Sequence, residues 1–170
     1  MKTYLGIDPG VGNCCWTIIT ENGELRNFGG FIGLNLFKED KLDTRRIATI
    51  IDYFSAIVKE YAVTHLITEE FFSGAFGQQN FQRGGLDIMM DYAFGHLNRC
   101  TINPQWLKMF FTGKCKKIDK KIMIPTLKKE LLGMYMHTSD QSAKEHPLIQ
   151  QLLQLSRNNQ EHILEAWGLT

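Results

Sequence analysis

The chain has 170 residues and a net charge of +1, with 44% hydrophobic and 22% charged residues. That is enough chain for one compact domain over 1–170 with a real core, and the balance excludes a disordered or fibrous protein. No apolar run approaches the ~20 residues of a membrane span, and only a few apolar residues separate Met1-Lys2 from Asp8, so no secretory signal is read. The expected location is cytoplasmic. Of the four cysteines, Cys14 and Cys15 are adjacent and no C-x-x-C pair exists, which argues against a structural zinc site and a disulfide framework.

Residues 3–8 read as a strand entering the core, ended at once by Asp8-Pro9-Gly10. CCWTIIT, 14–20, reads as a second strand, and Asn22-Gly23 as the hairpin turn into a third, LRNFGGFI, because both turn positions need positive φ. In 43–63, Ile47, Ile50, Ile51, Phe54, Ile57, Val58 and Tyr61 recur at helical spacing behind Asp43 as N-cap. THLITEE then reads as a short strand; the helical crossover suggests that it runs parallel to the first. A Gly-rich loop with four phenylalanines, 71–81, precedes a helix over 86–98 that is apolar on more than one side, as in a helix that is either fully buried or shared with a partner subunit. CTIN reads as a fifth strand and Pro104 as the first residue of the helix PQWLKMFF. A helix over 119–132 containing Pro125, a loop over 133–146 and a last helix over about 159–167 complete the chain, the last with Asn158 as N-cap and Gly168 as terminator.

Charge is unevenly spread. From Lys108 to Lys129 eight basic residues face one acid, Asp119, a local charge of +7, while the remainder carries −6. Such a stripe is either a solvated helix and loop or the footprint of a polyanion.

A carboxylate ending a buried strand is costly unless it is paired. Asp8 is either an Asx-turn residue before Pro9 or a ligand held at the sheet edge. With the strands parallel, Asp8 and Glu69 emerge together at the carboxyl edge, where α/β sheets place ligands. Two such groups repel, and a proton, a lysine or a divalent cation must lie between them. Oxygen ligands suit magnesium or manganese. His162 and Glu165, three apart, share one face of the last helix, although an acid there also fits a plain exposed face. Together the four residues would form a site for two cations ~4 Å apart, the arrangement that hydrolyses phosphodiesters. GKCKKIDKK is not a P-loop, because the earlier glycine and the hydroxyl after the lysine are missing. His137 and His146 are too far apart for a metal pair, and His65 and His96 read as ordinary strand or helix residues.

LGIDPG, ITEEFF and HILEA, in that order, resemble the RuvC family of Holliday-junction resolvases. Actin-like ATPases share the GIDPG turn but are much longer, two-lobed proteins. The resemblance implies an α/β RNase H-like fold, with a five-stranded mixed sheet of a three-strand antiparallel meander plus two parallel strands, flanked by helices. It implies a homodimeric, Mg2+-dependent endonuclease, with Mn2+ substituting and two ions per site, that nicks two strands of a four-way DNA junction. Asp8 matches the first family carboxylate. The pattern E-x-x-F picks Glu69 with Phe72, Glu70 being the alternative one residue on. His162-x-x-Glu165-Ala166 matches H/D-x-x-D-A, with glutamate in place of the usual aspartate. Lys108 before Thr112-Gly113, and Lys120 with Lys121 as its alternative, match the lysines near the scissile phosphate, and Lys114, Lys116 and Lys117 join them as backbone contacts. Phe72 matches an aromatic at the opened junction. The resemblance further implies a role in recombination or repair, and bacteriophages also carry compact enzymes of this type. The alternatives are a non-catalytic branched-DNA-binding module with a decayed site, or a related nuclease acting on RNA or flaps.

Overall fold

The structure is a computed structural model describing residues 1–9, 14–31, 43–70, 78–113, 120–138 and 146–170. The expected positions Phe72, Lys114, Lys116 and Lys117 lie outside the described residues. Five strands, β1 (Thr3–Asp8), β2 (Cys14–Thr20), β3 (Leu25–Phe31), β4 (His65–Glu69) and β5 (Asn98–Ile102), form one sheet in the order β3-β2-β1-β4-β5. β1, β2 and β3 pair antiparallel, and β4 lies parallel between β1 and β5. The sheet is the mixed one expected, but in the hairpin turn Gly23 alone takes a positive φ, 81°; Asn22, expected to share it, does not.

Two cores sandwich the sheet. Leu5, Ile7 and Leu66 point to one face and pack under α1 (Asp43–Glu60) and α2 (Gln78–Phe94), through Ile50, Phe54, Leu86, Met90 and Phe94. Cys15, Ile19 and Phe28 point to the other and meet α4 (Lys120–Thr138), α5 (Pro147–Gln154) and α6 (Arg157–Leu169) through Met123, Leu127, Ile149 and Leu164. α3 (Pro104–Thr112) completes this second layer, with Leu107 packed near Ile67 and Leu169.

Several boundaries differ from the sequence reading. α1 ends at Glu60, not at 63, because Tyr61 and Ala62 turn, Ala62 with φ 48°. α2 runs over Gln78–Phe94 instead of 86–98, so it begins inside the expected Gly-rich loop and gives up Asn98 to β5. Glycines normally weaken a helix interior, but a Cβ on Gly85 would come within 3.3 Å of Ile47, so this glycine lets α2 approach α1. β5 starts two residues early, and Asn103, expected within it, instead caps α3: its side-chain oxygen accepts from the Gln105 N–H at 2.8 Å. α4 continues to Thr138 through the stretch expected to be loop, and carries Pro125 inside it. α5 was not expected, although Pro147 at its start and buried Ile149 and Leu152 mark it in hindsight. α6 is two residues longer at each end, with Ser156 and not Asn158 at its N-cap. Gly168 does not terminate it: a Cβ there would come within 2.8 Å of Leu127, so the glycine serves helix packing.

No helix among the described residues is long and apolar enough to cross a membrane.

Candidate active site

β1 alternates between the two cores. Leu5 and Ile7 face α1 and α2, so Gly6 and Asp8 face α6. Gly6 has no side chain for a reason: a Cβ there would lie 2.4 Å from the Ala166 carbonyl oxygen and 2.5 Å from Thr170 Cγ2. α6 therefore rests directly on the β1 backbone, with Ala166 fully buried at the contact. His162 lies one turn and Glu165 one residue before Ala166 on α6, which carries both to the carboxyl end of β1.

There the three side chains meet. The imidazole Nδ1 of His162 is 2.9 Å from Asp8 Oδ2 and 3.6 Å from Glu165 Oε2. All three side chains are largely shielded, between 13% and 21% exposed. Each offers a ligand atom within 4.8 Å of the others, making this a candidate metal group among the described residues. Two carboxylates flanking an imidazole nitrogen, half-buried at a sheet edge, are donors that a divalent cation accepts.

Glu69 stands beside this group without being one of its three members. Gly6 pairs with Ile67 and Ile7 with Thr68, and one further step along the parallel strands sets Glu69 next to Asp8. Ile67 belongs to the α3 and α6 face, and Glu69, two residues on, shares it. Glu70 is engaged elsewhere: Asn103 Nδ2 donates to its carboxylate at 3.3 Å, and its N–H donates to the Ile102 carbonyl.

Two of the expected lysine positions lie on other helices. Lys108 is half-buried on α3, and its backbone carbonyl accepts from Thr112 Oγ1 at 2.6 Å. Lys120 opens α4. Lys128, from the same basic stripe, donates to Gln160 Oε1 at 3.4 Å. Gln160 in turn donates to the Leu153 and Leu155 carbonyls, which closes the α5–α6 turn two residues before His162. Of the histidines set aside in the sequence, His65 pairs with Thr64 Oγ1 at 2.8 Å and lies against the Tyr4 ring, and His96 is exposed after α2.

Two features of the site had no reading in the sequence. Cys15 is the register partner of Asp8 across β1 and β2. Burial first, and then the nearby charges of Asp8 and Glu165, push its thiol up to about 12, so it underlies the cluster as a neutral group. Gly6 is the other. A glycine inside a strand signals close backbone approach, and LGID carried that signal.

No protein-family model and no curated protein sequence matches the chain. Solved structures do. *Thermus thermophilus* RuvC in complex with a Holliday junction substrate superposes with a TM-score of 0.64 at 12% identity, covering 99% of this chain and 90% of that one. The chain has the RNase H-like fold of RuvC-type resolvases. A second *T. thermophilus* RuvC structure matches at 0.62 and 12% identity over 98% and 90% of the two chains. The yeast mitochondrial Holliday junction resolvase Ydc2 matches at 0.61 and 14% over 98% and 76%. The overall fold is therefore shared with these structures at 12–14% identity.

Proposed function

We propose that this chain is a divalent-metal-dependent endonuclease that resolves Holliday junctions and cuts other branched DNA, acting as a homodimer in the cytoplasm in recombination or repair. The observation that carries this reading is the meeting of Asp8, His162 and Glu165 at the carboxyl end of β1, on a fold shared with resolvases.

Asp8, Glu165 and His162 would hold the cation, with Glu69 as a further carboxylate from the neighbouring strand. Cations held there would supply the charge by which a water is activated and the leaving oxygen of a phosphodiester is stabilised. The chain's own part is positional. β1 presents Asp8 at its last residue, and Asp8 Oδ2 orients the His162 ring through Nδ1. Lys108 and Lys120 balance phosphate charge as it develops, and Lys114, Lys116, Lys117 and Lys121 hold the backbone without reading its sequence. Phe72 stacks at the opened branch. Carboxylate oxygens suit Mg2+, with Mn2+ as the substitute. Glu165 carries one methylene more than the family's usual aspartate, and its carboxylate would still serve as a ligand.

α2 supplies the dimer contact. It buries Leu86, Met90 and Phe94 but leaves Ile88 68% and Tyr92 86% exposed, an apolar surface that a second copy covers. Light scattering at micromolar concentration is expected to give the mass of a dimer; a monomer refutes this part.

A synthetic four-way junction, offered with Mg2+ or Mn2+ beside forked and linear competitors, tests the function. Paired nicks on the four-way substrate are expected. Binding without nicking in either metal would favour the non-catalytic module instead, and preference for RNA or flaps would favour another RNase H-like nuclease.

A further inference from the structure

Helix α3 presents two large rings to water. Trp106 is 69% exposed and Phe110 83%, and four residues apart they share one side of the helix. The helix is otherwise well seated: Leu107 is buried and Phe111 lies against Trp167. Between the two rings and the α4–α6 layer is a cavity of about 890 Å³, whose few polar groups include Thr126 and Glu130 of α4. Its size is that of a ligand site, not of a packing defect.

Asp8, His162 and Glu165 do not line the cavity, which runs from Ile102, the register partner of Glu69, to Ile19. Ile19 lines it, and Ile19 pairs with Tyr4, at the other end of β1 from Asp8.

Charge selects the occupant. α3 begins the stretch 108–129 with its net +7, and α4, which walls the cavity, carries Lys120, Lys121, Lys128 and Lys129. Lys129 is exposed, one turn on from Thr126. An apolar peptide would use the rings and gain nothing from these ammonium groups. A strand of nucleic acid uses both, because bases stack on aromatic faces while phosphates meet lysines. Glu130 only accepts hydrogen bonds, which suits the amino edge of a base and not a phosphate.

We propose that Trp106 and Phe110 form a stacking platform for unpaired bases of single-stranded DNA, with the cavity behind them receiving a base. The proposal rests on the branched-DNA reading above and adds to it a second contact, on the same helix as Lys108, for a strand freed at the branch.

The chain reports on this itself. Of its three tryptophans, Trp16 is buried away from the cavity, while Trp106 is exposed on the platform and Trp167 lines the cavity wall, so a bound base quenches Trp106 first and Trp167 only from within the cavity. The full chain is titrated with oligothymidylate in a chelator at fixed salt. Saturable quenching is expected. Phe110→Leu is expected to weaken binding about tenfold, and Trp106→Leu to weaken it similarly and remove most of the quenching. Blunt duplex of the same length should change by about twofold at most. Both rings are exposed, so circular dichroism is expected to show both variants folded. Binding without quenching, Phe110→Leu binding as tightly as wild type, or equal losses on duplex would each overturn the platform. Neither metal nor a branch is present, so a failed junction cleavage leaves this result standing, and the reverse holds.

Discussion

Asp8→Asn is expected to abolish junction cleavage, by about three orders of magnitude or more, the scale of losing a group that stabilises the reacting charges directly. The substitution removes one negative charge and little else. The asparagine oxygen can still accept from His162 Nδ1, now 2.9 Å from Asp8 Oδ2, so α6 keeps its anchor and the fold its stability. Junction affinity should hold within about twofold, because phosphate contacts and not the carboxylate group carry it. Gel-shift titration in chelator and a nicking assay in Mg2+ measure the two separately. Cleavage at the wild-type rate by this variant would remove Asp8 from the mechanism; joint loss of binding and cleavage would make it a structural residue.

Gly6→Ala is expected to damage both stability and activity, from a position with no chemistry of its own. Its methyl would lie 2.4 Å from the Ala166 carbonyl oxygen and 3.2 Å from Thr17 Oγ1, inside contact distance of backbone that cannot rotate away. α6 must lift from β1, at a cost of about 2–3 kcal/mol for overpacking. Lifting α6 by about 1 Å also draws His162 and Glu165 away from Asp8, and a misplacement of that size costs about 10²-fold in rate. Urea unfolding and cleavage at a temperature where the variant stays folded test the two parts. The control is Gly133→Ala. That glycine lies in α4 with nothing within 4 Å of its would-be Cβ, so alanine should be neutral or stabilise by about 0.5–1 kcal/mol. If Gly6→Ala behaves like this control, α6 is not held by the β1 backbone.

Much of the site could be read locally. The strand ending in Asp8-Pro9-Gly10, the hairpin at Asn22-Gly23, and His162 three residues before Glu165 all depend on neighbours in sequence. Strand parity also separates Glu69 from Glu70, since one residue reverses the face, and Asn103 occupies the latter. Helix ends were less legible. The Gly-rich stretch 71–81 reads as loop, yet α2 begins at Gln78 within it, and the stretch after Leu132 has no period where α4 continues. A local period is a weak guide to where a helix starts and stops.

By itself the sequence determined which side chains could serve: two carboxylates at strand ends, an imidazole and a glutamate on one helix face, and a basic stripe. Only the tertiary structure decided that residues 154 positions apart touch. That contact depends on α6 lying against a backbone bared by Gly6, on Gln160 closing the turn before it, and on Cys15 filling the space beneath. None of these is a local preference; each exists only once the two layers have closed on the sheet.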